Sequence, residues 1–153
     1  MNPGITVVGL GSGDEQQLTL GILRKLESAS RLYLRTERHP VAAWLASQGI
    51  RYETFDRFYE EADSFLEVYE AIVRELMVRA KQSAEEGGGD IVYAVPGHPS
   101  VAERTVVLLK ERCAESGVTL EVMGGESFLD QAFARFGFDP IEGFQLVDAS
   151  GLS

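Results

Sequence analysis

Two apolar periods take turns along this chain, and few architectures accommodate both. Ile5-Thr6-Val7-Val8-Gly9-Leu10 is a short β-branched run closed by glycines, the pattern of a strand buried on both faces of a parallel sheet. Leu18, Ile22, Leu23 and Leu26 then recur at helical spacing. The exchange repeats with Leu32-Tyr33-Leu34, followed by a short helix opened by Pro40 and carrying Val41, Trp44 and Leu45. Proline suits a first helical turn because its missing N–H would have no partner there. Tyr52–Phe55 is a weaker strand. Phe65, Tyr69, Ile72, Val73, Leu76 and Ala80 then form a helical stripe that Ser64 and Glu67 open as a capping box.

The second half continues the alternation. Ile91–Val95 is a strong strand, and Ser100 with Glu103 reads as a second capping box before a helix with Ala102, Thr105, Val106, Leu109 and Cys113 inside. Thr119–Met123 is the next strand, Ser127 with Asp130 starts a helix through Phe133 and Phe136, and Phe144–Val147 reads as one strand more. Strand–helix alternation predicts an α/β fold: an open, mostly parallel sheet of five or six strands with helices on both faces. Parallel neighbours require a helix to return the chain to the starting edge. At 153 residues the chain is one domain's worth of core.

Composition then excludes several roles. Acidic residues outnumber basic ones 24 to 14, a net charge of −10 that repels phosphate backbones and anionic lipid. Neither nucleic acid nor a membrane is an expected partner. A single cysteine rules out a disulfide scaffold. No apolar run reaches the ~20 residues of a bilayer span. Met1-Asn2-Pro3-Gly4 lacks the basic start of a signal peptide, so a cytoplasmic protein is expected. Two histidines and one cysteine without ligand spacing predict no metal site.

In an open parallel sheet, ligands bind where loops leave the carboxyl ends of the strands. Three such loops stand out. Gly9-Leu10-Gly11-Ser12-Gly13-Asp14 allows a tight turn with exposed amides, yet Asp14 occupies the place of the third glycine of a dinucleotide fingerprint, and no lysine makes it a P-loop. That disfavours an NAD-type domain. Pro96-Gly97-His98-Pro99-Ser100 is a stiff turn in which a cap explains Pro99 and Ser100 but not His98. Gly124-Gly125-Glu126-Ser127-Phe128 again opens a helix at a strand end. Arg31, Arg35, Arg38 and His39 form a basic segment after the second strand, either a solvated face or a seat for an anionic substrate. Cys113 and Trp44 fall on helical stripes and read as packing.

Together, in this order and spacing, the G-x-G-x-G-D, Pro-Gly-x-Pro and Gly-x-Ser turns resemble those of the tetrapyrrole methylases, a family of S-adenosylmethionine-dependent enzymes. Leu34–Pro40, Phe55–Glu60 and Gly125–Asp130 further resemble the subgroup in which this domain precedes a MazG-type nucleoside triphosphate pyrophosphohydrolase. The resemblance implies two α/β domains with the methyl donor, S-adenosylmethionine, in the cleft between them. Residues 1–143 would be the first domain. Residues 144–153 would start a connector to a second domain, making the chain a fragment of a longer polypeptide whose missing half and MazG-type domain are its partners. Donor contacts carried over by motif position are Leu10, Gly97, His98, Val101, Ser127 and Phe128. Many family members have Asp at the position of His98. No catalytic residue is implied. The fragment alone is expected to bind donor weakly or not at all and to be inactive. It is also expected to form homo-oligomers through apolar surface near Phe144, Leu146 and Leu152. Two functions follow as expectations: a methyltransferase domain, or a non-catalytic ligand-binding or regulatory module attached to the pyrophosphohydrolase.

Overall fold

The computed structural model describes residues 2–151. Five strands, β1 (Gly4–Gly9), β2 (Leu32–Leu34), β3 (Glu53–Thr54), β4 (Ile91–Val95) and β5 (Thr119–Met123), form one sheet in the order β3-β2-β4-β1-β5. Every pairing is parallel. The helices are α1 (Leu20–Ser28), α2 (Pro40–Ser47), α3 (Asp56–Glu61), α4 (Phe65–Glu85), α5 (Arg104–Ser116) and α6 (Phe128–Phe136).

Side-chain alternation divides the core into two layers. Ile5, Val7, Tyr33, Ile91, Tyr93 and Val95 pack against α4 and α5 on one face, through Ile72, Leu76, Val106 and Leu109. Val8, Leu32, Leu34, Val92 and Ala94 pack against α1 and α2 on the other, through Ile22, Leu26, Val41 and Leu45. Each fully buried aliphatic side chain contributes about 1.5–3 kcal/mol. Trp44 packs beside the second layer, and Cys113 lies in the first, where burial raises its thiol pKa. Among the described residues no helix is long and apolar enough to cross a membrane.

Four expectations need correction. Phe144–Val147 is not a strand: among the described residues it pairs with no neighbour, and Phe144, Leu146 and Val147 are exposed. A run of β-formers without a ladder partner has nothing to hold it extended. The sheet therefore has five strands. Residues Ser100 and Glu103 do not make a capping box. Glu103 occupies the cap position of α5, but its side chain turns inward, and the Ser100 N–H donates to His98 Nδ1 instead. Ala102 lies outside the helix at φ +54°. Finally, Phe65 leaves the buried stripe of α4 and stacks on Tyr69, while Val68 and Met77 take up buried positions on that stripe. The Ser127–Asp130 capping box forms as the spacing predicts.

Candidate functional site

Register brings the carboxyl ends of β1, β4 and β5 side by side, with Gly9 opposite Val95 and Val8 opposite Met123. The helix after β1 covers one face and the helix after β4 the other, so the β1–β4 boundary is the point where a crevice opens. There the three glycine loops meet backbone to backbone. Gly11 and Gly97 exchange both hydrogen bonds, at 3.2 and 2.8 Å. A Cβ on Gly125 would lie 2.7 Å from the Gly9 carbonyl oxygen and 2.8 Å from that of Gly97. Only glycine permits this approach.

Above the junction lies a cavity of about 320 Å³ lined by Gly97, His98, Val101, Ser127 and Phe128, and also by Ser12, Arg35, His39 and Glu103. Five of the six residues carried over by motif position therefore share one cavity. Leu10 does not: its side chain is buried in the α1–α2 layer, while its N–H donates to the Val95 carbonyl at 2.8 Å. A larger cavity of about 580 Å³ opens between α1 and α2, beside Leu23, Trp44 and Ile50, without any of the glycine loops.

His98 is half-buried. Its Nδ1 accepts from the Ser100 N–H at 2.9 Å, so the neutral ring carries its proton on Nε2, which lies against Gly124. The ring is thus a cap and a cavity wall at once. His39 is fixed more tightly. Its Nε2–H donates to the Gly11 carbonyl at 2.9 Å and its Nδ1 accepts from the Val41 N–H at 3.1 Å, capping α2 and tying it to the first glycine loop. Burial above all, and the Arg35 guanidinium next, lower its pKa against the opposing effect of the Gly11 carbonyl.

Protonation would turn Nδ1 into a donor facing another donor, so the neutral ring belongs to the folded state. The unfolded ring titrates near pH 6.5 and the folded one lower, so this contribution is complete above about pH 6.5 and is lost as pH falls towards the folded value. Wild-type melting temperature should decline between pH 7.5 and 5.5, and His39→Asn should flatten that decline. Equal slopes in both proteins would show that another group titrates.

Behind the cavity runs a buried polar chain absent from the sequence reading. Tyr93 OH meets Thr105 Oγ1 at 2.9 Å, which donates to Glu103 Oε1 at 2.8 Å. Glu103 Oε2 lies 3.5 Å from Arg35 Nε, and Arg35 Nη1 donates to Tyr59 OH at 3.2 Å. Burial is the main cause raising the Glu103 pKa, opposed by Arg35 and Thr105. Two buried atoms on the cavity wall, Ser12 Oγ and Arg35 Nε, have no hydrogen-bond partner among the described residues. Buried polar atoms are rarely left unpaired, and Nε has only its long contact with Glu103, so both atoms are open to a water or a polar ligand.

The sequence matches the Tetrapyrrole (Corrin/Porphyrin) Methylases over residues 4–152. It is 50% identical over 149 residues to the uncharacterized protein YabN of Bacillus subtilis, covering 97% of this chain and 29% of that protein. It is 25% identical to a methyltransferase/type III borosin cyclic peptide precursor of Anomoporia bombycina, across 92% of this chain and 16% of that one. The fold is similar to that of uroporphyrin-III-C-methyltransferase from Thermus thermophilus, with TM-score 0.66, 24% identity, 91% of this chain and 55% of that one. A diphthine synthase gives TM-score 0.67 at 23% identity, over 90% of this chain and 50% of that one. The chain thus spans well under two-thirds of the length of these relatives. With its three glycine turns meeting at the ends of a parallel sheet in the order β3-β2-β4-β1-β5, and a family match running through all of them, the chain belongs to the tetrapyrrole methylase family.

Proposed function

We propose that the strand-end cavity binds S-adenosylmethionine and that this chain is the donor-holding half of a methyltransferase. The observation that carries the reading is the unpartnered Ser12 Oγ on the wall of a cavity floored by close-packed glycine backbone. The residues fit a donor of this kind. Gly97, at φ +68°, has no atom within 4 Å of where a Cβ would stand, so its backbone can approach a ligand closely. Phe128 and Val101 offer apolar walls, while Ser127 and His98, which also cap their own turns, add polar side chains to the lining. Bound S-adenosylmethionine would supply an activated methyl group, so the protein's own task is to orient it and exclude water. In a longer protein of the two-domain form that the resemblance implies, the second domain would close this cavity over the ligand.

Calorimetric titration of the full-length protein with S-adenosylhomocysteine tests this. His98→Ala should weaken binding about tenfold while costing about 1 kcal/mol of stability, the Ser100 hydrogen bond. Unchanged affinity together with lowered stability would make His98 a turn cap only. A second reading, a non-catalytic module attached to a MazG-type pyrophosphohydrolase, draws on one observation. With Nδ1 occupied, His98 presents an N–H where many relatives present a carboxylate, reversing the polarity of that contact. It predicts no heat with S-adenosylhomocysteine.

The same reading proposes self-association. Phe133, Phe138 and Phe144 form an aromatic cluster, with centroids 5.1 and 5.7 Å from Phe133. Beside it Phe136 and Ile141 are 73% and 85% exposed. Leu152, which belongs to the expected patch, lies outside the described residues. Apolar surface of this extent tends to find a partner. Sedimentation of residues 1–153 should show dimers or larger species that Phe136→Glu disperses, and a monomer at high concentration would contradict it.

A further inference from the structure

Sheet alternation fixes where Arg35 points. Tyr33 packs towards α4 and Leu34 towards α2, and Arg35, whose N–H donates to the Ala94 carbonyl at 3.0 Å, extends the ladder by one residue back to the Tyr33 side. There it meets Tyr59 and Glu103 and lines two cavities at once, the strand-end cavity and a second of about 350 Å³. Thr36, Arg38, Asp56, Tyr59 and Glu60 complete the second one.

The turn carrying these cations is held rigidly. The Thr36 hydroxyl donates to Asp56 Oδ1 at 2.6 Å, the Glu37 N–H donates to Asp56 Oδ2 at 2.9 Å, and the Arg38 N–H donates to Thr36 Oγ1 at 3.1 Å. Arg35 and Arg38 are thereby presented to one cavity by a clamped loop. Arg31, Arg79 and Arg112 instead pair with surface carboxylates, those of Glu86, Glu75 and Glu70.

Arg35 has more donors than acceptors. Tyr59 takes one Nη1 N–H, Nε faces only the long 3.5 Å contact with Glu103 Oε2, and the remaining N–H groups of the guanidinium have no acceptor among the described residues. A half-buried guanidinium with donors unused is a preformed seat for an oxyanion, which it can grip in a planar fork. The acidic groups nearby oppose this less than their number suggests. Both Asp56 oxygens accept hydrogen bonds inside the clamp, Glu103 is buried with its pKa raised, and Glu60 is exposed at the rim.

We propose that the cavity between the β2–α2 turn and α3, gripped by Arg35 and Arg38, is a subsite for the oxyanion, carboxylate or phosphate, of a second small-molecule ligand bound beside the donor cavity. Because Arg35 lines both cavities, that ligand abuts whatever occupies the strand-end site. Naming it the methyl acceptor rests on the donor reading above; the subsite itself does not.

The test is calorimetric titration of the full-length protein at low ionic strength, where charge pairing is least screened, with pyrophosphate and with citrate as separate probes. One saturable site is expected for at least one of them, and the tighter probe identifies phosphate or carboxylate as the source. Arg38→Met, at an exposed position, and Arg35→Lys, which keeps charge but loses the fork, should each weaken that site about tenfold or more. Should Arg35→Lys not fold, Arg38→Met decides. Absence of saturable binding by both probes, or wild-type affinity in Arg38→Met, overturns the subsite. S-adenosylhomocysteine titrated in parallel separates the two proposals: its failure to bind removes the donor reading and leaves an observed oxyanion site standing.

Discussion

Gly9→Ala is expected to destabilise the protein by about 3 kcal/mol or more, because the added methyl has nowhere to go. Its Cβ would stand 2.3 Å from the Gly97 carbonyl oxygen, 2.9 Å from Pro99 Cδ and 3.0 Å from the Gly125 nitrogen. Two of these are backbone atoms and the third belongs to a proline ring, so no side chain can swing aside. Relief requires the Pro96–Ser100 turn to lift off β1, which also opens the Gly11–Gly97 bridge. For a domain of this size the melting temperature should fall by about 10 °C. Gly21→Ala is the matched control: within α1, its Cβ would meet nothing nearer than Met123 Cε at 3.9 Å. That change should stabilise by about 0.5 kcal/mol through helix propensity. Equal melting temperatures for Gly9→Ala and wild type would mean that the strand-end junction is looser than these distances indicate.

Gly97→Val should separate binding from folding. The position has φ +68°, so a β-branched residue there costs about 1–2 kcal/mol of backbone strain. Nothing lies within 4 Å of the Cβ position, and the side chain occupies the space beside which a ligand would lie. Affinity for S-adenosylhomocysteine in the full-length protein is expected to fall roughly a hundredfold, equivalent to about 2.7 kcal/mol, with the fold retained. Near-normal affinity would place the donor elsewhere.

Much of the fold was legible because period and position agreed. Ile5–Leu10 and Ile91–Val95 carry continuous β-branched apolar runs, and these are the central pair of the sheet. The stripe from Ile72 to Ala80 announces α4, and Gly117 ends α5 in the left-handed conformation as its place after a helical run suggests. α3 escaped notice because six residues give less than two helical turns, too few to establish a period. Its importance is tertiary: Asp56 clamps the β2–α2 turn and Tyr59 meets Arg35.

Glu103 departs from its local signal for a related reason. Serine followed three residues later by glutamate is a genuine local signal, but here the proline-flanked turn gives the Ser100 N–H to His98, and Arg35 and Thr105 draw the carboxylate inward. No local pattern reports a partner so distant in sequence. Arg35 was legible as part of the basic segment after β2, and counting one residue past the strand at the carboxyl edge separates it from the solvent-facing Arg31. Leu10 illustrates the converse: a motif position conveys that a backbone lies at the site, while pleat alternation sends its side chain into the core.

An amide nitrogen–proton correlation spectrum of residues 1–153 during titration with millimolar S-adenosylhomocysteine locates the donor, since weak binding suffices. Saturable shifts are expected at Gly11, Ser12, Gly97, Val101 and Ser127, with Leu23, Trp44 and Ile50 beside the α1–α2 cavity unmoved. Shifts confined to the α1–α2 cavity, or none at the strand ends at saturation, would contradict a strand-end donor site.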